Sequence, residues 1–274
     1  MTFELLAVFI TLATAGAVAG ITAGLFGNGG GFVVVPALVF VFSLFDNTNK
    51  ELIFVAIGTS LATIVISSTR AVIAHHSRGA VDFQILRSWS GWLTVGVIVG
   101  LVIASKANPE QLYLVFAFGV LLYAVYFLFP NLIDNLHFKP SMPTGMTRAS
   151  LASSLGGFSS LLGIGGGTVT VITMVTCRRQ MYEAVATASG VGLIIGLTGA
   201  VGFIFLGLGQ PGLPFGSIGY VNLPALALVG IGSLTTAPIG AKWAHKLDEK
   251  NLKRFFGIYL VIVSAAMFWK SILL

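Results

Sequence analysis

The residues best suited to chemistry are two glycine clusters, one in each half of the sequence. They comprise Gly27, Asn28, Gly29, Gly30 and Gly31, and then Gly163, Gly165, Gly166 and Gly167. Successive glycines allow consecutive backbone N–H groups to point into one concavity, which forms a nest for an anion. Each cluster is followed at once by a short apolar run, and a helix N-terminus there would add unpaired donors and about half a positive charge. The pattern predicts a small-anion site built from backbone donors.

Side chains with hydroxyl or amide groups near the clusters could complete such a site. These candidate ligands are Thr22, Asn28, Ser159, Ser160 and Thr168, and the further candidates Thr59 and Thr187 occupy equivalent positions in an internal repeat. An alternative interpretation is that the glycines only allow tight turns and close helix packing. The recurrence of the clusters at matched positions favours the binding site.

Three ionisable residues could carry charge or protons in the same region. Arg70 lies deep in an apolar run, where a charge costs at least about 2.5 kcal/mol, so it is either functional or reaches towards the membrane surface. His75 and His76 could relay protons, although histidines at the end of a run are more often simply solvated. The sequence has one cysteine and neither an H-E-x-x-H motif nor a P-loop motif. We therefore predict no enzyme activity, no metal and no cofactor.

The composition requires membrane-spanning helices to position these residues. Hydrophobic residues make up 56% of the chain and charged residues 9%, and the mean hydropathy is +0.95. A soluble domain carries about 25% charged residues, so this chain must be solvated by lipid. The net charge of +6 lies in short loops, as the positive-inside rule expects, and predicts no nucleic-acid partner. The fold class is an all-α integral membrane protein.

The hydropathy pattern divides the chain into ten apolar runs. They span roughly 3–26, 32–45, 52–74, 88–105, 112–129, 149–162, 168–177, 184–208, 223–241 and 255–274. A helix needs about 20 residues to cross the hydrocarbon core. The runs 32–45 and 168–177, which follow the glycine clusters, are therefore short segments that either re-enter or cross.

A weak internal repeat relates the two halves of the chain. Residues 27–35 match 163–171, residues 56–59 match 184–187, and residues 79–83 match 219–223. We predict an N-terminal transmembrane repeat over 1–129, a linker over 130–147 and a C-terminal repeat over 148–274, with five segments in each repeat. The loop after the third run is basic, whereas its counterpart over 207–219 has no charge. Equivalent loops on opposite sides predict an inverted repeat, with the basic side in the cytoplasm and both termini outside.

The order of these motifs resembles the TauE/SafE sulfite exporter family, of the 4-toluene sulfonate uptake permease type. The resemblance rests on the glycine pattern from Gly20 to Pro36, on residues 56–62, on residues 75–82, and on Gly163-x-Gly165-Gly166-Gly167. It covers nearly the whole chain. Ala186 and Ala188, which flank Thr187, depart from the Gly-Thr-Ser that the family often shows, and Ile172 stands where the first half has Pro36.

The resemblance implies a secondary transporter of the bacterial inner membrane. Its substrate would be sulfite or a small organosulfonate such as sulfoacetate, usually exported, and the expected mechanism is alternating access. The expected partners are the lipid bilayer and a small sulfur-containing anion, and a homodimer stays open. Two alternatives are uptake of another small anion or a taurine-like zwitterion, and a non-transporting membrane scaffold subunit.

Overall fold

A computed structural model describes residues 2–26, 29–45, 51–129, 141–243 and 249–272 of the chain. Within these ranges the protein consists of ten helices and one two-stranded hairpin. The helices are α1 (Thr2–Phe26), α2 (Gly31–Phe45), α3 (Leu52–His76), α4 (Phe83–Lys106), α5 (Pro109–Leu128), α6 (Gly145–Leu161), α7 (Gly167–Thr176), α8 (Met181–Leu206), α9 (Leu223–Trp243) and α10 (Glu249–Ile272). Strands β1 (Ser217–Ile218) and β2 (Val221–Asn222) pair antiparallel between α8 and α9.

Each predicted apolar run corresponds to one helix. Seven of the ten helices in the described ranges are long and apolar enough to cross a membrane, whereas α2, α6 and α7 have 15, 17 and 10 residues. α4 begins at Phe83, ahead of the predicted run at 88, because the Asp82 carboxylate accepts a hydrogen bond from the Ile85 N–H at 3.0 Å and caps the helix. Arg87 therefore lies in α4 and not in a loop. α6 begins at Gly145, within the predicted linker.

The outer surface of the bundle is apolar and its interior contains many hydroxyl groups. Large hydrophobic side chains such as Leu122, Phe205 and Ile262 are 64–68% exposed. The buried polar residues are mostly serines and threonines, and several of them lie on α3 and α8. This distribution suits a protein whose surface faces lipid and whose polar groups are satisfied inside.

The helices α3 and α8 form the centre of the bundle and run antiparallel. Leu61 of α3 lies against Gly196 and Gly199 of α8, and Ser68, further along α3, lies against Gly192. Residue numbers therefore rise along one helix as they fall along the other. α5 and α10 are also antiparallel, since Ala117 accepts a hydrogen bond from Ser264 while Leu128 packs on Gly257.

The two remaining long pairs cross between the predicted halves. α1 packs along α9, and α4 packs along α6, with residue numbers rising together in both pairs. In the predicted repeat, α1 corresponds to α6 and α4 corresponds to α9. If each helix is replaced by its counterpart in the other half, the pair α1–α9 becomes the pair α6–α4. Under the same exchange, α3 pairs with its own counterpart α8.

Candidate functional site

Both glycine clusters form tight turns that only glycine adopts without strain. In the first cluster Gly29 and Gly30 have φ values of 72° and 79°, and in the second Gly163 and Gly166 have φ values of 63° and 66°. The Gly30 carbonyl accepts hydrogen bonds from the first turn of α2, and Gly166 is the N-cap of α7. Both short helices therefore begin at a glycine with left-handed backbone. The predicted site residues Gly27 and Asn28 lie outside the described residues.

The structure brings the described parts of the two clusters into contact opposite the middle of α3. Gly31, the first residue of α2, packs against the Gly163 carbonyl. The Gly163 carbonyl also accepts a hydrogen bond from the Ser60 hydroxyl at 2.7 Å. On the first cluster, the Gly29 carbonyl accepts from the Ser67 hydroxyl at 3.4 Å. Two serines of α3 thus hold one turn each, and the turns approach each other at the N-termini of two short helices.

Two of the predicted hydroxyl ligands are buried and have no protein partner. Ser159 is 0% exposed and Thr168 is 5% exposed, and the hydroxyl oxygen of each makes no hydrogen bond. The Ser159 oxygen lies beside Gly166, where a Cβ would be 3.0 Å from it, and Thr168 is in the first turn of α7. The first N–H groups of a helix have no acceptor within it. Buried polar groups are normally paired, so this set of donors is a candidate ligand position.

The other predicted hydroxyls near the clusters are already engaged within their own helices. Thr22 donates to the Ala19 carbonyl at 3.0 Å. Ser160 donates to the Gly157 carbonyl at 2.8 Å and packs against Gly100 of α4. Ser159 and Ser160 are adjacent in sequence, but it is the Ser159 hydroxyl that lies beside Gly166, while the Ser160 carbonyl accepts a hydrogen bond from the Gly163 N–H at 3.3 Å. Gly165 and Gly167, the remaining predicted members of that cluster, are buried.

Thr59 and Thr187 lie at two equivalent contacts between the halves and not among the glycines. The Thr59 hydroxyl accepts a hydrogen bond from the Asn222 N–H at 2.9 Å. The Thr187 hydroxyl accepts one from the Asp82 N–H at 3.0 Å. Asp82 precedes α4 and Asn222 precedes α9, so each threonine ties a central helix to the start of a helix from the other half.

Two further contacts between the halves accompany these hydrogen bonds. The Tyr220 hydroxyl donates to the Glu51 carboxylate at 2.6 Å, and both burial and this carboxylate raise the pKa of Tyr220. Arg179 forms an ion pair with Asp82 at 3.3 Å. Sequence reasoning did not assign Glu51, Tyr220, Asp82 or Arg179 to a site. The repeat of residues 79–83 at 219–223 was the available signal, because it aligns the two capping positions.

The ionisable candidates lie towards the C-terminal end of α3, and Arg70 is three residues beyond Ser67, whose hydroxyl donates to the Gly29 carbonyl. Arg70 is exposed on α3, within two turns of its C-terminal end, so its side chain can extend to the membrane surface. His75 is buried at that end, while His76 is exposed and its ring meets the Phe83 ring edge-on at 5.1 Å. A charge or proton role for these three residues stays a prediction.

Asn222 makes the densest set of polar contacts at these ties, and we expect Asn222→Ala to lower the free energy of unfolding by about 2 kcal/mol. Its side-chain oxygen accepts from the Ala225 N–H at 3.0 Å and caps α9. Its side-chain nitrogen donates to the Phe215 carbonyl at 2.9 Å and to the Ser217 hydroxyl at 3.0 Å. Thermal unfolding of the detergent-purified variant measures the loss.

Asp82→Asn is the matched control for this prediction. It keeps a side-chain oxygen to cap α4 and loses only a partly exposed ion pair, which is worth about 0–1 kcal/mol. An Asn222→Ala variant as stable as this control would contradict the role of Asn222.

An apolar outer surface and seven candidate spans among the described residues define a multi-pass membrane protein. Comparison with known sequences identifies the family of this membrane protein. The chain belongs to the sulfite exporter TauE/SafE family, whose sequence profile matches residues 12–267. Membership confirms the resemblance seen in the motifs, and a bacterial inner-membrane location is consistent with it.

Several similar proteins are named as transporters. A probable membrane transporter protein of Haemophilus influenzae is 32% identical over 260 residues, which cover 93% of this chain and 96% of the relative. A probable membrane transporter protein of Methanocaldococcus jannaschii is 27% identical, with 97% of each chain covered. The probable membrane transporter protein YunE of Bacillus subtilis is 26% identical, covering 96% of this chain and 98% of the relative. No solved structure matches the chain significantly. These names indicate a membrane transporter rather than an enzyme.

Proposed function

We propose that this protein is a secondary transporter that exports sulfite or a small organosulfonate by alternating access. The observation that carries the proposal is the pair of unpartnered, buried hydroxyls of Ser159 and Thr168 at the N-terminus of α7. Hydrogen-bond donors and the positive end of a helix dipole together favour an anion. The site lies opposite the middle of α3, which is the depth at which secondary transporters bind their substrates.

The arrangement of helices supports an inverted repeat, which alternating access by two rocking halves would use. α3 and α8 carry the repeated segments 56–59 and 184–187, yet they run antiparallel. Two related segments that run in opposite directions are what an inverted repeat requires. The antiparallel pairing of α5 with α10, which are also repeat counterparts, supports the same topology.

The ties between the halves supply a candidate gate at each end of α3. Thr59 and Glu51 bind the segment before α9 at one end, and Asp82 binds Thr187 and Arg179 at the other. In an alternating-access cycle one set would open while the other holds. In the structure the contacts of both sets are formed at the same time.

The alternatives fit the described residues less well. A taurine-like zwitterion would need a partner for its ammonium group, and no carboxylate is buried among the described residues. A scaffold would gain nothing from buried hydroxyls that lack a partner, since each costs about 1–3 kcal/mol. Uptake instead of export uses the same site, and counterflow in proteoliposomes distinguishes the two directions.

Ligand-dependent thermal stability of the purified protein tests the site. We expect sulfite or a small sulfonate to stabilise the folded protein by about 2.7 kcal/mol when its concentration is about 100 times the Kd. Chloride should not stabilise it. Ser159→Ala and Thr168→Val should each weaken this binding roughly tenfold, because each removes one hydrogen bond to a charged ligand. Ser160→Ala is the matched control, since that hydroxyl is bonded within α6.

Two results would contradict the proposal. If Ser159→Ala, Thr168→Val and the wild type bound the anion equally well, the anion would not bind at the glycine clusters. No stabilisation by any sulfur oxyanion or sulfonate would favour the scaffold alternative.

A further inference from the structure

We infer that the site at the glycine clusters selects ligands with one negative charge over ligands with two. The inference rests on the proposed function and narrows its substrate class. It predicts that the transported form of sulfite is bisulfite, and that a singly charged sulfonate is preferred to the doubly charged sulfoacetate.

The donors available at the site are electrically neutral. They are the Ser159 and Thr168 hydroxyls and the N–H groups in the first turn of α7. Among the residues whose burial is described, no Lys, Arg, Asp or Glu is buried. An anion there is therefore balanced by backbone dipoles and not by a formal cation.

The backbone supplies close to one positive charge. Each helix N-terminus is equivalent to about half an elementary charge. α7 begins at Gly167, and the first residue of α2, Gly31, packs on the Gly163 carbonyl in the turn that leads into α7. At most, the two N-termini together supply about one elementary charge, which balances one negative charge and not two.

A second negative charge would be strongly unfavourable in this environment. The cost of removing an ion from water rises with the square of its charge, so a dianion costs about four times as much as a monoanion of the same size. The attraction to a fixed dipole only doubles. Without a buried Lys or Arg at the described site the difference is only partly offset, so a dianion of the same shape should bind more weakly than a monoanion.

Ionisable groups of the protein itself affect all anions in the same direction. Those on the helices that pack against the clusters include Glu4 of α1, Arg70, His75 and His76 of α3, Arg148 of α6, Tyr182 and Glu183 of α8, and the two tyrosines that contact Phe32, Tyr123 and Tyr259. Among those whose burial is described, His75 is buried at the far end of α3 and Tyr123 is buried against Phe32. The pH dependence of Kd for an anion whose own charge does not change therefore measures the contribution of these protein groups.

Isothermal titration of the full-length protein in detergent, from about pH 6 to about pH 9, tests the inference. Methanesulfonate has one charge throughout, sulfate and sulfoacetate have two, and sulfite changes from one charge to two near neutral pH. We expect methanesulfonate to bind with a nearly constant Kd and both dianions to bind at least tenfold more weakly. Above the pKa of bisulfite, the apparent Kd of sulfite should rise about tenfold per pH unit, because the singly charged fraction falls by that factor.

The outcomes distinguish this inference from the proposed function. Sulfate or sulfoacetate binding as tightly as methanesulfonate, or sulfite binding that is constant or tighter at high pH, overturns the charge selectivity and leaves the anion site standing. Absence of binding by all four anions overturns both. Ser159→Ala, which should weaken methanesulfonate while Ser160→Ala does not, assigns the measured binding to this site.

Discussion

Gly166→Val and Gly30→Val are expected to reduce transport to background while the protein still inserts into the membrane. Both glycines have left-handed backbone, which costs a branched residue about 1–3 kcal/mol. At Gly166 a Cβ would lie 2.8 Å from Ile195 and 3.0 Å from the Ser159 hydroxyl. At Gly30 it would lie 2.5 Å from the Ala19 carbonyl. At Gly166 the added atoms fill the space beside the Ser159 hydroxyl that we propose to bind the anion. At Gly30 they meet the backbone of α1, so that variant also loses stability and only its inserted fraction is compared.

Flux in proteoliposomes, normalised to the amount of inserted protein, measures the effect. Gly209→Val is the matched control, because Gly209 also has positive φ, 80°, but has nothing within 4 Å of a Cβ position. It imposes the same backbone strain away from the site and should transport normally. Gly166→Ala adds a single carbon and keeps the result interpretable if the valine variant fails to fold. Wild-type rates in inserted Gly30→Val and Gly166→Val proteins would disprove the role of the clusters.

Gly96→Val is expected to destabilise the protein by at least about 3 kcal/mol and to remove most of it from the folded membrane fraction. A Cβ at Gly96 would overlap the Ser153 carbonyl and lie 2.7 Å from the Ser153 Cα. These are backbone atoms that cannot rotate away, so α4 and α6 must separate. Separation would also break the hydrogen bond from the Ser153 hydroxyl to the Trp92 carbonyl, which measures 3.1 Å.

Fluorescence-detected gel filtration after heating gives the midpoint of unfolding for this variant. Gly91→Val provides the control, since Gly91 is exposed on the same helix and a Cβ there meets nothing within 4 Å. Its stability should equal or slightly exceed that of the wild type, because glycine is a poor helix former. If Gly96→Val had the same midpoint of unfolding as Gly91→Val, the close approach of α4 and α6 would not be what stabilises this helix pair.

The elements and the glycine clusters could be predicted because their causes are local. A helix in lipid must satisfy its own backbone and span a fixed thickness, so apolar run length gives the long helices and the two short ones directly. Two tight glycine turns before short runs likewise require no knowledge of distant residues. α4 begins five residues before its apolar run, because the Asp82 side chain caps the helix ahead of that run.

Which of the predicted hydroxyls stay unpaired depended on contacts that local sequence does not contain. Thr59 bonds a residue 163 positions away, and Thr187 bonds one 105 positions away. Ser159 and Ser160 have the same chemistry and adjacent positions, but the Ser160 hydroxyl donates to the Gly157 carbonyl of its own helix, while the Ser159 hydroxyl lies beside Gly166 and has no partner.

The sequence by itself therefore determined the membrane class, the helices, the family resemblance and the two glycine breaks, because these follow from hydropathy and backbone freedom along the chain. Only the tertiary structure decided that the two clusters touch, that Ser159 and Thr168 are the unpaired donors, and that Thr59 and Thr187 tie the halves together. A hydroxyl group pairs with whatever acceptor or donor folding brings within about 3 Å, and that neighbour is set by the packing of distant helices.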